Sequence, residues 1–279
     1  MDPKGRIVVV TGATSGLGQA AALDFSRAGA RVFVVGRDAA RAEETRARAE
    51  AAGNPVEVIL GDVSTRAGAR AVGAAVLERT EKVDVLLNNA GGSFATRSTT
   101  ADGIESTFAL NTLGAFVLEQ VLHLALAEAK GRVVNVATGF LDWYPLDPAD
   151  LVDPKKYASN PQYGRAKQAS VMMTVEQAKR FAADGVSAVS VHPGIIMGTR
   201  FGGGQSSLVQ ALAGPVMRGI GIACSLEEAV RRFNVACWGD VPSGSYLVKG
   251  EVAPLPKQVN DATVRARVWD LVDGLARSG

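Results

Sequence analysis

The sequence predicts a single doubly wound α/β domain over residues 1–279, built on a parallel sheet of about seven strands. Three observations carry this. Short Val- and Ile-rich runs alternate with longer helix-patterned segments from one end to the other. The first such run passes directly into a glycine-rich turn and then a helix. No stretch of linker composition interrupts the alternation.

The first strand, Ile7 to Val10, meets the turn Thr11-Gly12-Ala13-Thr14-Ser15-Gly16-Leu17-Gly18, and a helix follows to Gly29. In this context glycines let the backbone approach a pyrophosphate, and the helix N-terminus offers it free N–H groups. Gly12, Thr14, Ser15, Gly16, Leu17 and Gly18 are therefore candidate cofactor-binding residues. The second strand, Val32 to Val35, ends at Gly36-Arg37. An acidic residue there would accept the ribose 2′-OH of NAD, whereas a guanidinium suits the 2′-phosphate of NADP(H). Arg37 thus points to NADP(H), with a solvated loop arginine as the alternative; Asp38 could cap the next helix.

A charged helix, Ala39 to Ala52, leads to the third strand, Val56 to Leu60. Asp62 then sits where an adenine amino group could be accepted, beside Val63, and Ser64 reads as the N-cap of a helix over Ala67–Thr80. The fourth strand, Val83 to Leu87, ends at Asn88-Asn89-Ala90-Gly91-Gly92. That polar turn lies at the strand's carboxyl end, where open parallel sheets bind ligands. A long apolar helix is expected from about Ala101 to Ala129. Asn111 is out of place in it: it either bends the helix and holds a water near the site, or is exposed or capping. His123 and His192 read as structural, and no cluster of His, Cys, Asp or Glu has metal-ligand spacing.

The fifth strand, Arg132 to Ala137, ends at a hydroxyl, Thr138. The Gly139–Pro161 loop is rich in aromatics and prolines, and a connection this long is usually functional. Its Trp143 and Tyr144 either line a substrate pocket or pin the loop. The next helix carries Tyr163 and Lys167, four residues apart and hence on one face. An ammonium near a phenol lowers its pKa, which would make tyrosine a usable proton donor and acceptor. The sixth strand, Val186 to Val191, breaks at Pro193-Gly194. Residues about 195–224 read as a mobile substrate lid. Ser225 with Glu228 forms a capping box for a helix to about Trp238. Gly244–Val248 is the last strand, Glu251–Pro256 is extended, and a helix over Asp261–Ala276 closes the chain.

The chain has 279 residues, 47% of them hydrophobic, and its 30 Lys+Arg nearly balance 28 Asp+Glu, which argues against an electrostatic nucleic-acid binder. Two cysteines, Cys224 and Cys237, make no disulfide framework. The N-terminus shows no signal peptide, and no apolar run is expected to span a bilayer, so a cytoplasmic protein is expected.

Taken together, Thr11-Gly12-x3-Gly16-x-Gly18, Asp62-Val63, Asn88-Asn89-Ala90-Gly91, Asn111, the strand-five hydroxyl, Tyr163-x3-Lys167 and Pro193-Gly194 resemble the short-chain dehydrogenase/reductase family, in the family's order and over most of the chain. The insertion between Thr138 and Tyr163, and the tail from Val259, resemble its retinol-dehydrogenase-like branch, which typically prefers NADP. The resemblance implies a carbonyl–alcohol oxidoreductase acting on an apolar small molecule. Tyr163 would be the general acid or base. Lys167 would lower its pKa and hold the nicotinamide ribose, Asn111 would hold a water, and Thr138 would bind the substrate oxygen. Asn89, Ala90, Gly91, Pro193, Gly194, Ile196 and Thr199 would join the cofactor site. Family analogy suggests a homo-dimer or tetramer, while the insertion would favour a monomer. One departure is threonine at 138, where the family usually has serine; its methyl group and stiff χ1 could crowd a substrate or re-aim the hydroxyl. That departure and the aromatic loop leave a second reading open, a dehydratase, epimerase or cyclase on the same fold. A non-catalytic cofactor-binding partner is a third.

Overall fold

The strand β1 (Ile7–Thr11) is buried along its whole length, and the reason is visible in its residues. Val9 faces one apolar layer and Val8 and Val10 the other, and β2 (Arg31–Gly36) repeats this with Phe33 and Val35 against Val32 and Val34. Strands apolar on both sides are those of a parallel sheet covered by helices on both faces. The computed structural model describes residues 2–139, 141–196 and 223–278.

The main sheet continues with β3 (Glu57–Leu60), β4 (Val85–Asn88), β5 (Arg132–Val136) and β6 (Ser187–His192). A separate two-stranded pair, β7 (Ile195–Ile196) and β8 (Ala223–Cys224), is followed by β9 (Tyr246–Val248) and β10 (Glu251–Ala253). The strand order is β10-β9-β6-β5-β4-β1-β2-β3, parallel except for the antiparallel β10 edge. The sheet therefore has eight strands rather than about seven. The extra one comes from the stretch expected to be merely extended, which turns back at Lys249-Gly250, both at positive φ, and pairs with β9.

One face carries α1 (Gly16–Arg27), α2 (Ala39–Ala51) and α8 (Leu226–Trp238). The other carries α3 (Arg66–Leu77), α5 (Gly114–Ala129), α7 (Ser159–Arg180) and α10 (Ala262–Arg277). Short helices α4 (Ser106–Phe108), α6 (Ala149–Val152) and α9 (Lys257–Asn260) fill the connections. Asp38 and Ser225 cap their helices as expected, accepting from Arg41 N at 3.1 Å and Glu228 N at 3.1 Å. Ser64 does not: Thr65 caps α3, accepting from Gly68 N, while the Ser64 N–H is drawn to Asp62 Oδ1 at 2.9 Å.

The helix expected over Ala101–Ala129 begins only at Ser106 and is interrupted by a π-helical turn, Ala109–Leu113. Glu105, wholly buried, starts it by accepting from Thr107 N and Phe108 N. By length and composition Ser106–Ala129 could cross a bilayer, with a window of mean hydropathy 1.4, contrary to the sequence expectation. Within that window 67% is buried inside the protein, so packing against the sheet accounts for its apolar character.

A polar chain runs through this apolar layer. Asn88 Nδ2 donates to Asn135 Oδ1 at 2.9 Å, and Asn135 Nδ2 to Thr174 Oγ1 and Gln177 Oε1. Gln177 Nε2 donates to Glu119 Oε2 at 2.7 Å. Burial pushes the Glu119 carboxyl well above its usual range, which keeps it neutral in the folded state. The unfolded carboxyl ionises near 4.5, so folding takes up a proton above that pH. Stability then falls by up to about 1.4 kcal/mol per pH unit until the folded pKa is reached. Glu119→Gln should raise Tm relative to the parent at pH 8, with the gap shrinking towards pH 4. A gap independent of pH in thermal melts would show that Glu119 is not held neutral.

Candidate active site

The site grows from the carboxyl ends of β1, β4 and β5, where the strand order reverses between β1 and β4 and a crevice must open. Gly12 (φ +63) lies against β4's following turn. A Cβ there would come within 2.9 Å of Ala90 Cα, so only glycine permits the approach. Asn89 ties the two turns together, with Nδ2 donating to Thr11 O at 2.9 Å and Gly12 O at 3.2 Å. Ala90 N donates to Thr11 Oγ1 at 3.0 Å. Asn89 thus acts on the shape of the glycine turn, and its amide is already engaged.

Ser15 and Gly16 are exposed at the start of α1, and Ser15 makes no side-chain cap, leaving the first-turn N–H groups directed outward. Leu17 is half-buried, whereas Gly18 is buried under the Asn89 amide and Gly12 O. Thr14 is buried too, with its side chain packed against Gly36. It spaces the glycine turn from the end of β2. Arg37, just beyond, is 69% exposed and 3.6 Å from Asp62. Burial pulls the Asp62 carboxyl up, but the Ser64 and Arg37 hydrogen bonds outweigh it and hold it below the usual range. Val63 is buried in the core. A concave backbone and open helix N–H groups fit the pyrophosphate of a dinucleotide, with an exposed guanidinium beside them.

Gly91 joins this half of the crevice to the other. A Cβ on it would sit 2.7 Å from Asn111 Oδ1 and 3.2 Å from Lys167 Nζ. Asn111 is buried in the π turn and is neither exposed nor a cap. Its Nδ2 donates to Gly92 O and Thr107 O, both at 2.7 Å, and its Oδ1 accepts from Gly92 N at 3.2 Å. Its amide is consumed in fastening the β4 turn to the helix.

Lys167 projects from α7 and donates from Nζ to Val136 O at 2.6 Å, the last carbonyl of β5. It is 3% exposed, and burial lowers its pKa to about 7. Tyr163, one turn earlier, is half-buried, and the Thr138 hydroxyl hydrogen-bonds its phenol. Burial drives the phenol well above its ordinary value, and the Thr138 contact offsets only part of this. The expectation that Lys167 lowers the phenol pKa is therefore not met by this arrangement: the ammonium is turned to Val136 O, and desolvation disfavours the charged form of both groups.

Thr138 is 4% exposed, and its carbonyl accepts from Tyr246 Oη at 2.9 Å. In the insertion, Tyr144 packs its ring edge against Gly164, beside Tyr163, while Trp143 is 66% exposed. The loop is pinned by Gln168 Nε2 to Leu141 O, Arg165 Nε to Pro145 O, and a mutual pair between Leu146 and Gln258. After β6, Pro193 O accepts from Arg232 Nη1 at 2.8 Å, and Gly194 turns with φ +104 against Arg232 and Cys224. Ile196 lies in β7. Thr199 and the expected lid, apart from 195–196 and 223–224, lie outside the described residues. Among the described residues there is no group of three metal-binding side chains. His192 is held neutral by burial and by Arg232, with a pKa near 4.

This arrangement has known counterparts. Residues 6–144 match the family model for short chain dehydrogenases. Over 95% of its length the chain is 34% identical to the candidate daunorubicin C-13 ketoreductase DnrU of Streptomyces sp. (strain C5), covering 91% of that protein. The chain belongs to the short-chain dehydrogenase/reductase family of nicotinamide-dependent oxidoreductases, in its retinol-dehydrogenase-like branch. Human retinol dehydrogenase 14 is 31% identical over 96% of this chain and 85% of its own. Mouse retinol dehydrogenase 12 is 37% identical over 69% of this chain and 62% of its own. Among solved structures, an uncharacterised protein from Mycobacterium Paratuberculosis superposes with TM-score 0.76 at 26% identity, over 99% of this chain and 94% of its own. An NADPH-bound carbonyl reductase from chicken fatty liver shares the fold, with TM-score 0.68 at 24% identity, over 90% of this chain and 99% of its own.

The buried amine gives a direct test of the electrostatics. With Lys side chains 13C-labelled, one ε-carbon should titrate near pH 7, well below the ordinary lysine value of 10.5, and vanish in Lys167→Arg. If every lysine titrates near its ordinary value, Lys167 is not desolvated as described.

Proposed function

We propose that the protein is an NADP(H)-dependent carbonyl reductase, or alcohol dehydrogenase in reverse, for an apolar small molecule. The observation that carries this reading is the Thr138–Tyr163–Lys167 set at the carboxyl end of β5, with a phenol held protonated. When bound, the nicotinamide supplies the hydride. The chain supplies the proton. Tyr163 donates its phenolic hydrogen to a carbonyl oxygen, and the raised phenol pKa means that the donor is in its acid form at neutral pH. Thr138 donates a hydrogen bond to the same oxygen and orients it. Lys167, titrating near neutrality one turn along α7, is suited to restore the proton to the phenolate.

Gly12, Ser15, Gly16 and Leu17 would hold the pyrophosphate, Asp62 and Val63 the adenine, and Ala90, Gly91, Pro193, Gly194, Ile196 and Thr199 the nicotinamide half. Arg37 would take the 2′-phosphate by exchanging its long contact with Asp62 for a charge-assisted one. Support for an apolar substrate comes from the relatives, whose names point to retinol and daunorubicin, and from the aromatic insertion beside Tyr163. The threonine at 138 keeps a second reading alive, a dehydratase, epimerase or cyclase. It predicts product by mass spectrometry with no net change in NADPH absorbance.

Tyr163→Phe should cut turnover by about 10²–10⁴-fold, the range for losing a positioned acid, while NADPH still binds by fluorescence titration. Activity retained in that variant removes Tyr163 from the chemistry. Arg37→Ala should weaken NADPH at least about tenfold, the worth of about 1.4 kcal/mol, and leave NADH nearly unchanged. Equal losses for the two cofactors would take Arg37 out of the 2′-phosphate site.

A further inference from the structure

Thr138 stands at a structurally awkward place. The ladder between β5 and β6 ends one residue earlier, where Ala137 N donates to Val191 O at 2.8 Å. Beyond that bond the β5 backbone has no strand partner among the described residues. The next residue is Gly139, which brings no side chain to fix the peptide. A hydroxyl on a stiff β-branched side chain points where its backbone points, so Thr138 can address Tyr163 only if the 138–139 peptide is held.

Two side chains hold it. Tyr246, on β9 two strands away, reaches across β6 and donates from its hydroxyl to Thr138 O at 2.9 Å. Tyr246 is 6% exposed, so this is a bond made away from water, and its loss leaves a buried carbonyl unpartnered. On the other side the His192 ring lies against Gly139, with Nε2 only 3.1 Å from where a Cβ would stand. Both holding residues are anchored in the sheet, since β6 and β9 are paired in register from Ser190↔Tyr246 to His192↔Val248. The clamp is therefore as rigid as the strands that carry it.

We propose that Tyr246 is a positioning residue for the reaction at Tyr163, acting through the Thr138 carbonyl to aim the Thr138 hydroxyl. It does not reach the reacting atoms. It fixes the peptide from which the threonine hydroxyl is presented, and so lets a β-branched residue serve at that position. The inference rests on the roles of Tyr163 and Thr138 proposed above.

The test is a double-mutant cycle between Tyr246→Phe and Thr138→Ala, read as kcat and as KM for NADPH. Tyr246→Phe should lower kcat about tenfold to a hundredfold, the scale of a misplacement near 1 Å, with KM for NADPH unchanged. Thr138→Ala should lower kcat at least as much, and the double variant should be no slower than Thr138→Ala alone, because the tyrosine acts only through that hydroxyl. Additive losses, or a Tyr246→Phe enzyme with parental kcat, would overturn the proposal. If Tyr246→Phe does not fold, 4-methylphenylalanine at 246 keeps the shape without the donor, and 4-aminophenylalanine keeps a donor. The first should lose kcat and the second should stay within about threefold of the parent; equal rates for the two again overturn it. Failure of the underlying reading looks different: Thr138→Ala and Tyr163→Phe would then both retain activity, whatever happens at Tyr246.

Discussion

The burial of one amine organises the centre of this protein. Lys167 Nζ sits 2.6 Å from Val136 O with almost no contact with water, and that is tolerable only because its position and its neighbours are fixed. Its helix is locked to β5 through Thr174 and to the π turn by Thr112, whose hydroxyl donates to Ala166 O, and Asn111 in that same turn fastens Gly92. The same packing leaves room at Gly91 for nothing larger than hydrogen, so amine, amide and backbone meet at one point. The glycine turn after β1 reaches that point through Ala90. Cofactor crevice and proton-handling groups are thus parts of one packed arrangement at the carboxyl edge of the sheet.

The electrostatic consequence differs from the simplest picture of a lysine acidifying a tyrosine. Desolvation acts on both side chains, raising the phenol and lowering the ammonium, so each is pushed towards its neutral form. A phenol that holds its proton at neutral pH is matched to giving it to a carbonyl. An amine titrating near neutrality is matched to replacing it. Under the proposed function the pair would serve as a proton donor and its supply.

Much of this was legible in the sequence, for identifiable reasons. The two-sided apolar strands and the glycine turn are local patterns, and they place the sheet and α1. Tyr163 and Lys167 were legible because helix geometry alone puts them on one face. What was not legible depended on distant partners. Ser64 looked like a cap, but Asp62 takes its N–H and Thr65 caps instead. A bend at Asn111 is among the alternatives the sequence offers, but the late start set by Glu105 and the π turn that brings the amide to Gly92 are not. The eighth strand hid in a segment whose pairing depends on a tight turn at positive φ. Tyr246 carried no signal at all: its link to Thr138 spans 108 residues and exists only because β9 joins the sheet beside β6.

In the proposed reaction the Tyr163 phenol carries the proton. The most direct measurement is the pH profile of kcat/KM for alcohol oxidation with 3,5-difluorotyrosine placed at position 163. Oxidation needs the phenolate, so the rate should rise with pH through the phenol's ionisation, and the more acidic fluorinated phenol should move that rise to lower pH. A rise that stays at the parental pH would show that the proton does not pass through Tyr163.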